Sequence, residues 1–354
     1  MKRFAAILMP LMLSLALQGR ETIIFSSTVH DFGQVLLSDG PVSCTFVGKN
    51  TSSVPVTLQS VSTSCGCTDV RWDHGTIAPG AQTKIAVTYT NDEGPYPFDK
   101  VITVKVAGEP KPLLLHIRGI SVKAVLPDSQ VFTDVFGSCI GMQASSLKTG
   151  NLEQGGCKGD QVTIANLSGK SVRVGFVGIS DGLGLNVVPN PVPAGGHAVL
   201  HYTVSAREGK WGYNDYSATM TTDGISTGKS ISVRAFTAEN FSSLTKEERM
   251  AGSRPIFPQS TFSFGHKKQG SVVKAVFSCQ NKGGKTLTVH KVDVDKEGAS
   301  FGAFPKIAAG KSADFQITMD TKNLPKGEAL VIVTLTTNSP VRPVVNLFLA
   351  GWID

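Results

Sequence analysis

The chain has 354 residues with a formal charge of +7, 41% hydrophobic residues and 17% charged residues. That balance excludes a disordered polymer, which combines low hydrophobicity with high net charge. The cations are dispersed, without the clustered basic face or motif that nucleic-acid binding calls for; at ~100 to 200 residues per domain the chain suits two or three domains.

At the N-terminus Lys2 and Arg3 precede an apolar run over residues 4–17, followed by Gln18 and Gly19. The order is that of a secretory signal peptide over residues 1–19, because the run falls short of the ~20 residues of a membrane span. No cysteine follows the run to accept a lipid, and no later stretch is apolar for long enough to cross a bilayer. The expectation is an exported protein of the periplasm or cell surface that does not span the membrane.

Beyond residue 20 the pattern is alternation. Ile85, Val87 and Tyr89 alternate with polar neighbours, as do Ile102, Val104 and Val106, then Val172, Val174 and Phe176, then Phe315, Ile317 and Met319. Period two in short runs bounded by Gly, Asn, Asp and Pro reads as half-buried antiparallel strands. A helical pattern is confined to residues 243–252, where Ser and Thr precede paired glutamates.

The alternating runs belong to a repeat. "DFGQV" at residue 31 recurs as "SFGHK" at 263, "FVGKN" ending at Asn50 as "FSCQN" ending at Asn281, "IAPG" ending at Gly80 as "IAAG" ending at Gly310, and Gly119 as Gly351, at offsets of 230 to 232 residues. A divergent middle copy places Asn166 against Asn50 and Gly195 against Gly80. About seven short strands in ~95 residues is the pattern of an immunoglobulin-like β-sandwich. The fold class is therefore all-β: three tandem sandwiches over residues 20–122, 123–238 and 255–354 in an elongated array, with 239–254 as a linker that sets the angle of the third.

Asn50, Asn166 and Asn281 precede turn residues and are read as turn formers, which tolerate the left-handed region and bond their own backbone. Gly80, Gly195 and Gly310 suit turns that need positive φ, and Phe32 and Phe264 are read as plugs at the sandwich ends. Asn50, Asn166 and Asn240 also satisfy the N-x-Ser/Thr glycosylation pattern.

Six cysteines stand out against this plain background. Ser64, Cys65, Gly66, Cys67 and Thr68 form a motif found in the first copy alone. In an extended strand Cys65 and Cys67 share a face, with Cα atoms about 6.6 to 6.8 Å apart, at the far edge of the ~4.4 to 6.8 Å that a disulfide spans. A bond between them needs a bend that Gly66 would permit, and the small ring would suit thiol exchange. Cys44 is the other candidate partner for either thiol, as a staple between strands. Cys139 and Cys157 make a natural disulfide pair within the middle copy, and Cys279 reads as a small buried hydrophobe. A metal reading joins Cys65 and Cys67 to Asp69, Asp73 and His74, with thiolates favouring zinc or copper(I). His197 and His201 fall in an alternating strand, where the i, i+4 spacing makes no metal face.

The set "HDFGQV", "FVGKN", "TSCGCTDV", "IAPGAQTKIAVTYT" and "GPYPFDKVITV" resembles the DUF1573 family of bacterial exported proteins, frequent in Bacteroidetes and similar to ASH/MSP and PapD-like immunoglobulin folds. The resemblance is close over residues 29 to 120, extends to 260–354 without the cysteine motif, and is loose in the middle. It implies an immunoglobulin-like fold and export, and no reaction. No nucleophile elbow, phosphate loop or dinucleotide fingerprint occurs, so no catalytic residue and no cofactor are expected. The expected role is a non-enzymatic binding or scaffold protein engaging an envelope protein or surface polymer through loops and strand edges. The alternative is a periplasmic thiol-redox or copper- or zinc-handling protein centred on Cys65 and Cys67.

Overall fold

The computed structural model describes residues 22–109 and 111–354. The signal peptide expected over residues 1–19 lies outside the described residues. The chain divides into two compact units, the first ending at Leu126 and the second spanning Pro127–Asp354.

The first unit holds one sandwich. Its strands are β1 (Ile23–Phe25), β2 (Val29–Leu36), β3 (Val42–Asn50), β4 (Leu58–Thr63), β5 (Thr68–Trp72), β6 (Gln82–Tyr89), β7 (Pro97–Val106) and β8 (Leu113–Val122). They form two four-stranded sheets, ordered β1-β3-β6-β5 and β2-β8-β7-β4. The alternation at residues 85–89 and 102–106 is the core face: Ile85, Val87 and Tyr89 on β6 and Ile102, Val104 and Val106 on β7 are all buried, in one cluster with Leu115 and Ile117 of β8.

The second unit contains two further sandwiches. The first follows a short helix, α1 (Asp128–Val131), with β9 (Asp134–Phe136), β10 (Ile140–Met142), β11 (Ser146–Glu153), β12 (Cys157–Asn166), β13 (Val174–Val177), β14 (Leu183–Val188), β15 (His197–Ser205), β16 (Gly212–Thr222) and β17 (Ile225–Ala238). Its sheets run β14-β15-β12-β10-β9 and β11-β17-β16-β13. After α2 (Lys246–Met250) come β18 (Pro255–Ile256), β19 (Thr261–Lys267), β20 (Val272–Asn281), β21 (Val289–Val294), β22 (Ala299–Phe301), β23 (Ser312–Asp320), β24 (Gly327–Thr337) and β25 (Val344–Ile353). These form sheets β18-β20-β23-β22 and β19-β25-β24-β21. Each sandwich has its own buried cluster.

Residues 239–254 do not form a free tether. Thr245 and Glu248 close a capping box at the start of α2, which satisfies helix N–H groups that otherwise lack partners. Ser253 is buried, donates from its hydroxyl to Asn338 at 2.9 Å, and accepts at its carbonyl from Ser339 Oγ at 2.6 Å. Across the joint Trp211 stacks on His290 with ring centroids 4.1 Å apart, His290 Nε2 lies 2.8 Å from Glu239, and the Tyr213 N–H donates to Asp293 at 3.0 Å. The linker thus packs against the third sandwich, and the second and third sandwiches dock directly.

One device recurs in all three sandwiches. The first long strand runs parallel to the last, as β2–β8, β11–β17 and β19–β25, with a register shift at a glycine in each. Gly33, Gly150 and Gly265 take φ values of 64, 74 and 62° there, a region costly for other L-residues. A cross-strand Asp–Arg pair also recurs on the outer sheet face. Arg118 Nε lies 2.7 Å from Asp99, and Arg234 Nε 2.7 Å from Asp215, whereas the third sandwich sets Leu330 against Ala350 at that place. Partial burial pushes the Asp99 carboxyl up, but His116 and Arg118 outweigh it and hold the group below the usual carboxylate range.

The turn glycines match expectation: Gly80, Gly195 and Gly310 take φ of 76, 59 and 70°. Phe264 is buried against Gly351, and Phe32 packs half-buried toward Phe98. The asparagines meet half of it: each Oδ1 accepts from the backbone N–H two residues on, at 2.9, 3.0 and 3.0 Å, but the left-handed conformation is not used. Asn50, Asn166 and Asn281 are buried at 0, 1 and 0% exposure, and none has positive φ. Each side-chain amide donates to carbonyls of two loops, Asn50 to Val54 and Ile77 at 2.9 Å each. Burial and these bonds remove Asn50 and Asn166 from glycosylation in the folded protein.

Candidate functional site

β4 ends at Thr63 and β5 begins at Thr68, so the cysteine motif forms the connection between the two sheets of the first sandwich. Cys65 and Cys67 are bonded to each other, with Cα atoms 5.2 Å apart, closer than an extended spacing. Gly66 is exposed, takes no positive φ, and a Cβ there would meet nothing within 4 Å. The bend therefore does not depend on glycine's conformational freedom, contrary to the sequence expectation.

The turn is pinned from both sheets. Ser64 N–H donates to Val101 O and Val101 N–H to Ser64 Oγ, both at 3.0 Å, while Thr90 N–H donates to Cys67 O at 2.8 Å. Thr63 Oγ1 donates to Cys65 O at 3.0 Å, and the Cys67 N–H reaches Cys65 Sγ at 3.0 Å. These bonds from both sides make the two sulfurs a preorganised pair, half-buried at the sandwich end.

The other cysteine pairings do not form; Cys44, Cys139, Cys157 and Cys279 are free. Cys44 lies opposite Val87 on β6, and Val70 of β5 lies opposite Val87 from the other side. Two strand spacings, about 9 to 10 Å, already separate Cys44 from β5, beyond disulfide reach. Cys157 begins β12 opposite Ser205, while Cys139 sits beside the far end of that strand, where Leu167 N–H donates to its carbonyl at 2.7 Å. A ten-residue strand spans roughly 30 Å at its rise per residue, so Cys139 and Cys157 cannot meet. Cys279 is fully buried with Leu287 and Ile307.

Thiol alkylation followed by peptide mapping checks this arrangement. Burial pushes the Cys44 and Cys279 thiols up to about 11, so little thiolate is present at pH 8 and reactivity rises only as pH approaches that value. Exposed Cys157 is expected to alkylate fastest, with Cys44 and Cys279 protected until the protein is denatured. Equal rates for all three at pH 8 would overturn the burial order.

The sequence-based metal set is also revised. Asp69 pairs with exposed Arg71 at 3.7 Å, Asp73 is exposed beyond the end of β5, and the His74 ring packs on Trp72 at 4.5 Å. The length of β5, about 16 Å from Cys67 to Trp72, carries His74 away from the sulfurs. The group that does approach is Glu93: its carboxylate and the two Sγ atoms lie within 4.8 Å of one another. Glu93 comes from the β6–β7 loop and lies 26 residues past Cys67, so local spacing gives no hint of it. Asn91 fixes that loop, donating from its side chain to Leu36 O at 2.8 Å. In the second unit His197 Nε2 sits 2.8 Å from Asp128, and His201 is exposed on β15, in line with their strand reading.

Next to the motif, β5 is the outer strand of its sheet and, among the described residues, pairs with β6 alone. The Thr90-to-Cys67 bond, continued by antiparallel alternation, turns the backbone groups of Val70 and Trp72 to the unpaired side. Beside this edge is a shallow depression of about 350 Å³, lined by Ser43, Thr45, Asp69, Arg71, Ala86 and Thr88. Among the described residues no helix is long and apolar enough to cross a membrane.

No curated protein sequence matches the chain. Among solved structures it is similar to a protein of unknown function from Porphyromonas gingivalis W83, with 16% identity, a TM-score of 0.49, and 60% of this chain and 99% of that chain covered. It is also similar to the ASH/PapD-like domain 7 of human CEP192, with 9% identity, a TM-score of 0.23, and 33% and 94% covered. For WR4, an MSP family member of C. elegans, the figures are 13% identity, a TM-score of 0.22, and 29% and 100% covered. Proteases of Vibrio cholerae and endo-fucoidan hydrolases are also among the similar structures. Residues 23–121, the span of the first sandwich, match the family described as "Protein of unknown function (DUF1573)".

Proposed function

We propose that the protein is an exported, non-enzymatic binding module of the bacterial cell envelope. Its first sandwich takes an extended segment of a partner protein along the free edge of β5. The observation that carries this reading is that edge: a strand bonded on one side only, with outward backbone groups at Val70 and Trp72, able to accept a partner strand. The adjoining depression offers small polar side chains and the exposed charges of Asp69 and Arg71, which suits alternate side chains of an added strand. The signal-like N-terminus supports export, and the Cys65–Cys67 bond fits an oxidising compartment.

The test places a photo-crosslinking side chain at Arg71 in producing cells, with and without Val70→Pro. Proline removes an outward N–H and is tolerated on an edge strand, so the melting temperature should hold while a discrete crosslinked protein band falls at least tenfold. A band that survives Val70→Pro in a folded variant places the partner elsewhere.

A further inference from the structure

We propose that Cys65, Cys67 and Glu93 form a zinc site that is closed while the two sulfurs are bonded and opened by a dithiol reductant. Three donor atoms of the right kinds converge within 4.8 Å from two separate loops, and both loops are held by hydrogen bonds independent of the donors. The convergence is therefore built into the fold and does not depend on the sulfur–sulfur bond alone.

Opening balances simply. The reductant's two thiols supply two electrons and two protons, the Cys65–Cys67 bond breaks to two thiols, and the reductant leaves as its own disulfide. The divalent ion then displaces the two thiol protons and takes both thiolates and the Glu93 carboxylate. Three protein ligands leave a fourth tetrahedral position for water or a partner's side chain, the open arrangement known for zinc. The carboxylate argues for zinc over copper(I), which prefers an all-sulfur set.

The surroundings suit this charge. Lys100 Nζ lies 3.3 Å from Glu93 Oε2, leaving Oε1 available, and the Lys100 side chain is only 18% exposed. Two thiolates, one carboxylate, one lysine and one divalent ion sum to neutrality. The Cys67 N–H directed at Cys65 Sγ at 3.0 Å is a hydrogen bond of the kind that holds and tunes a thiolate ligand.

The test titrates zinc into full-length protein, as isolated and after reduction with a dithiol that is then removed under anaerobic conditions. Cobalt serves as the spectroscopic probe of tetrahedral thiolate ligation. Expected are one zinc per chain in the reduced protein, none at this site in the oxidised protein, thiolate-to-cobalt charge transfer, and at least tenfold weaker binding for Glu93→Gln. A Cys65→Ser/Cys67→Ser variant, which keeps the other four thiols, separates binding elsewhere. Should that variant misfold, the oxidised wild-type protein is the same control without a mutation. The proposal is overturned if the reduced protein binds no more zinc than the oxidised, or if Glu93→Gln binds as wild type does. Neither result bears on the β5 edge, whose own test is the crosslink.

Discussion

Asn50→Ala is expected to destabilise the first sandwich by roughly 3 kcal/mol, from the four hydrogen bonds that this buried amide makes, at ~0.5 to 1.5 kcal/mol each. Val54 O and Ile77 O would lose the side-chain N–H groups that now reach them at 2.9 Å, and Ser52 N–H and Oγ would lose the acceptor at 2.9 and 2.7 Å. For a domain of about 100 residues such a loss lowers the melting temperature by about 12 to 24 °C, a large share of a total stability of ~5 to 15 kcal/mol. Asn50→Asp is the informative companion: it keeps the acceptor and loses the donors, so it should remain well below wild type. Denaturant unfolding followed by Trp72 fluorescence measures both. A loss under about 1 kcal/mol for the alanine variant would mean that water reaches the vacated site and that the tie between the two loops is dispensable.

Gly351→Ala is expected to cost the third sandwich about 3 kcal/mol, the upper end of overpacking penalties. A Cβ at Gly351 would stand 2.3 Å from the Phe264 ring and 2.6 Å from the Gly265 carbonyl oxygen, and backbone cannot step aside as a flexible side chain can. Here the parallel pairing of β19 and β25 brings two strands together at the glycine-marked register shift. The double variant Phe264→Leu/Gly351→Ala relieves the ring contact and leaves the carbonyl contact, so it should recover part of the loss relative to the sum of the single variants. Full additivity would show that the ring is not what the new methyl group meets. Gly119 of the first sandwich faces the same constraint more mildly, with its Cβ position 2.7 Å from Phe98 and 2.9 Å from Gly33 O.

Asn50 and Gly351 are repeated residues whose contacts add a role that their local pattern does not show. As a sequence feature, Asn50 before a turn reads as a turn former, because that is the local chemistry of asparagine. In the fold it makes that turn bond, accepting from Ser52 N–H, and is also a buried connector between segments 27 residues apart; no local pattern encodes a partner at that distance. Gly119 and Gly351 were visible as repeated positions, while the aromatic rings pressed against them were not.

What the sequence by itself determined is everything carried by period and offset. Two-residue alternation marks strands because side chains alternate across a sheet, and the 230- to 232-residue offset marks equivalent sandwiches. The same logic identified the turn glycines and the cysteine motif. Only the tertiary structure decided which groups meet across strands and loops. It paired Cys65 with Cys67, held Cys139 and Cys157 at opposite ends of β12, moved His74 onto Trp72 and brought Glu93 to the sulfurs. It also packed residues 239–254, the linker with its short helix, against the third sandwich. The physical reason is that pairing register and loop path set distances of a few ångströms between residues far apart in the chain, and these depend on how whole sheets pack rather than on any local spacing.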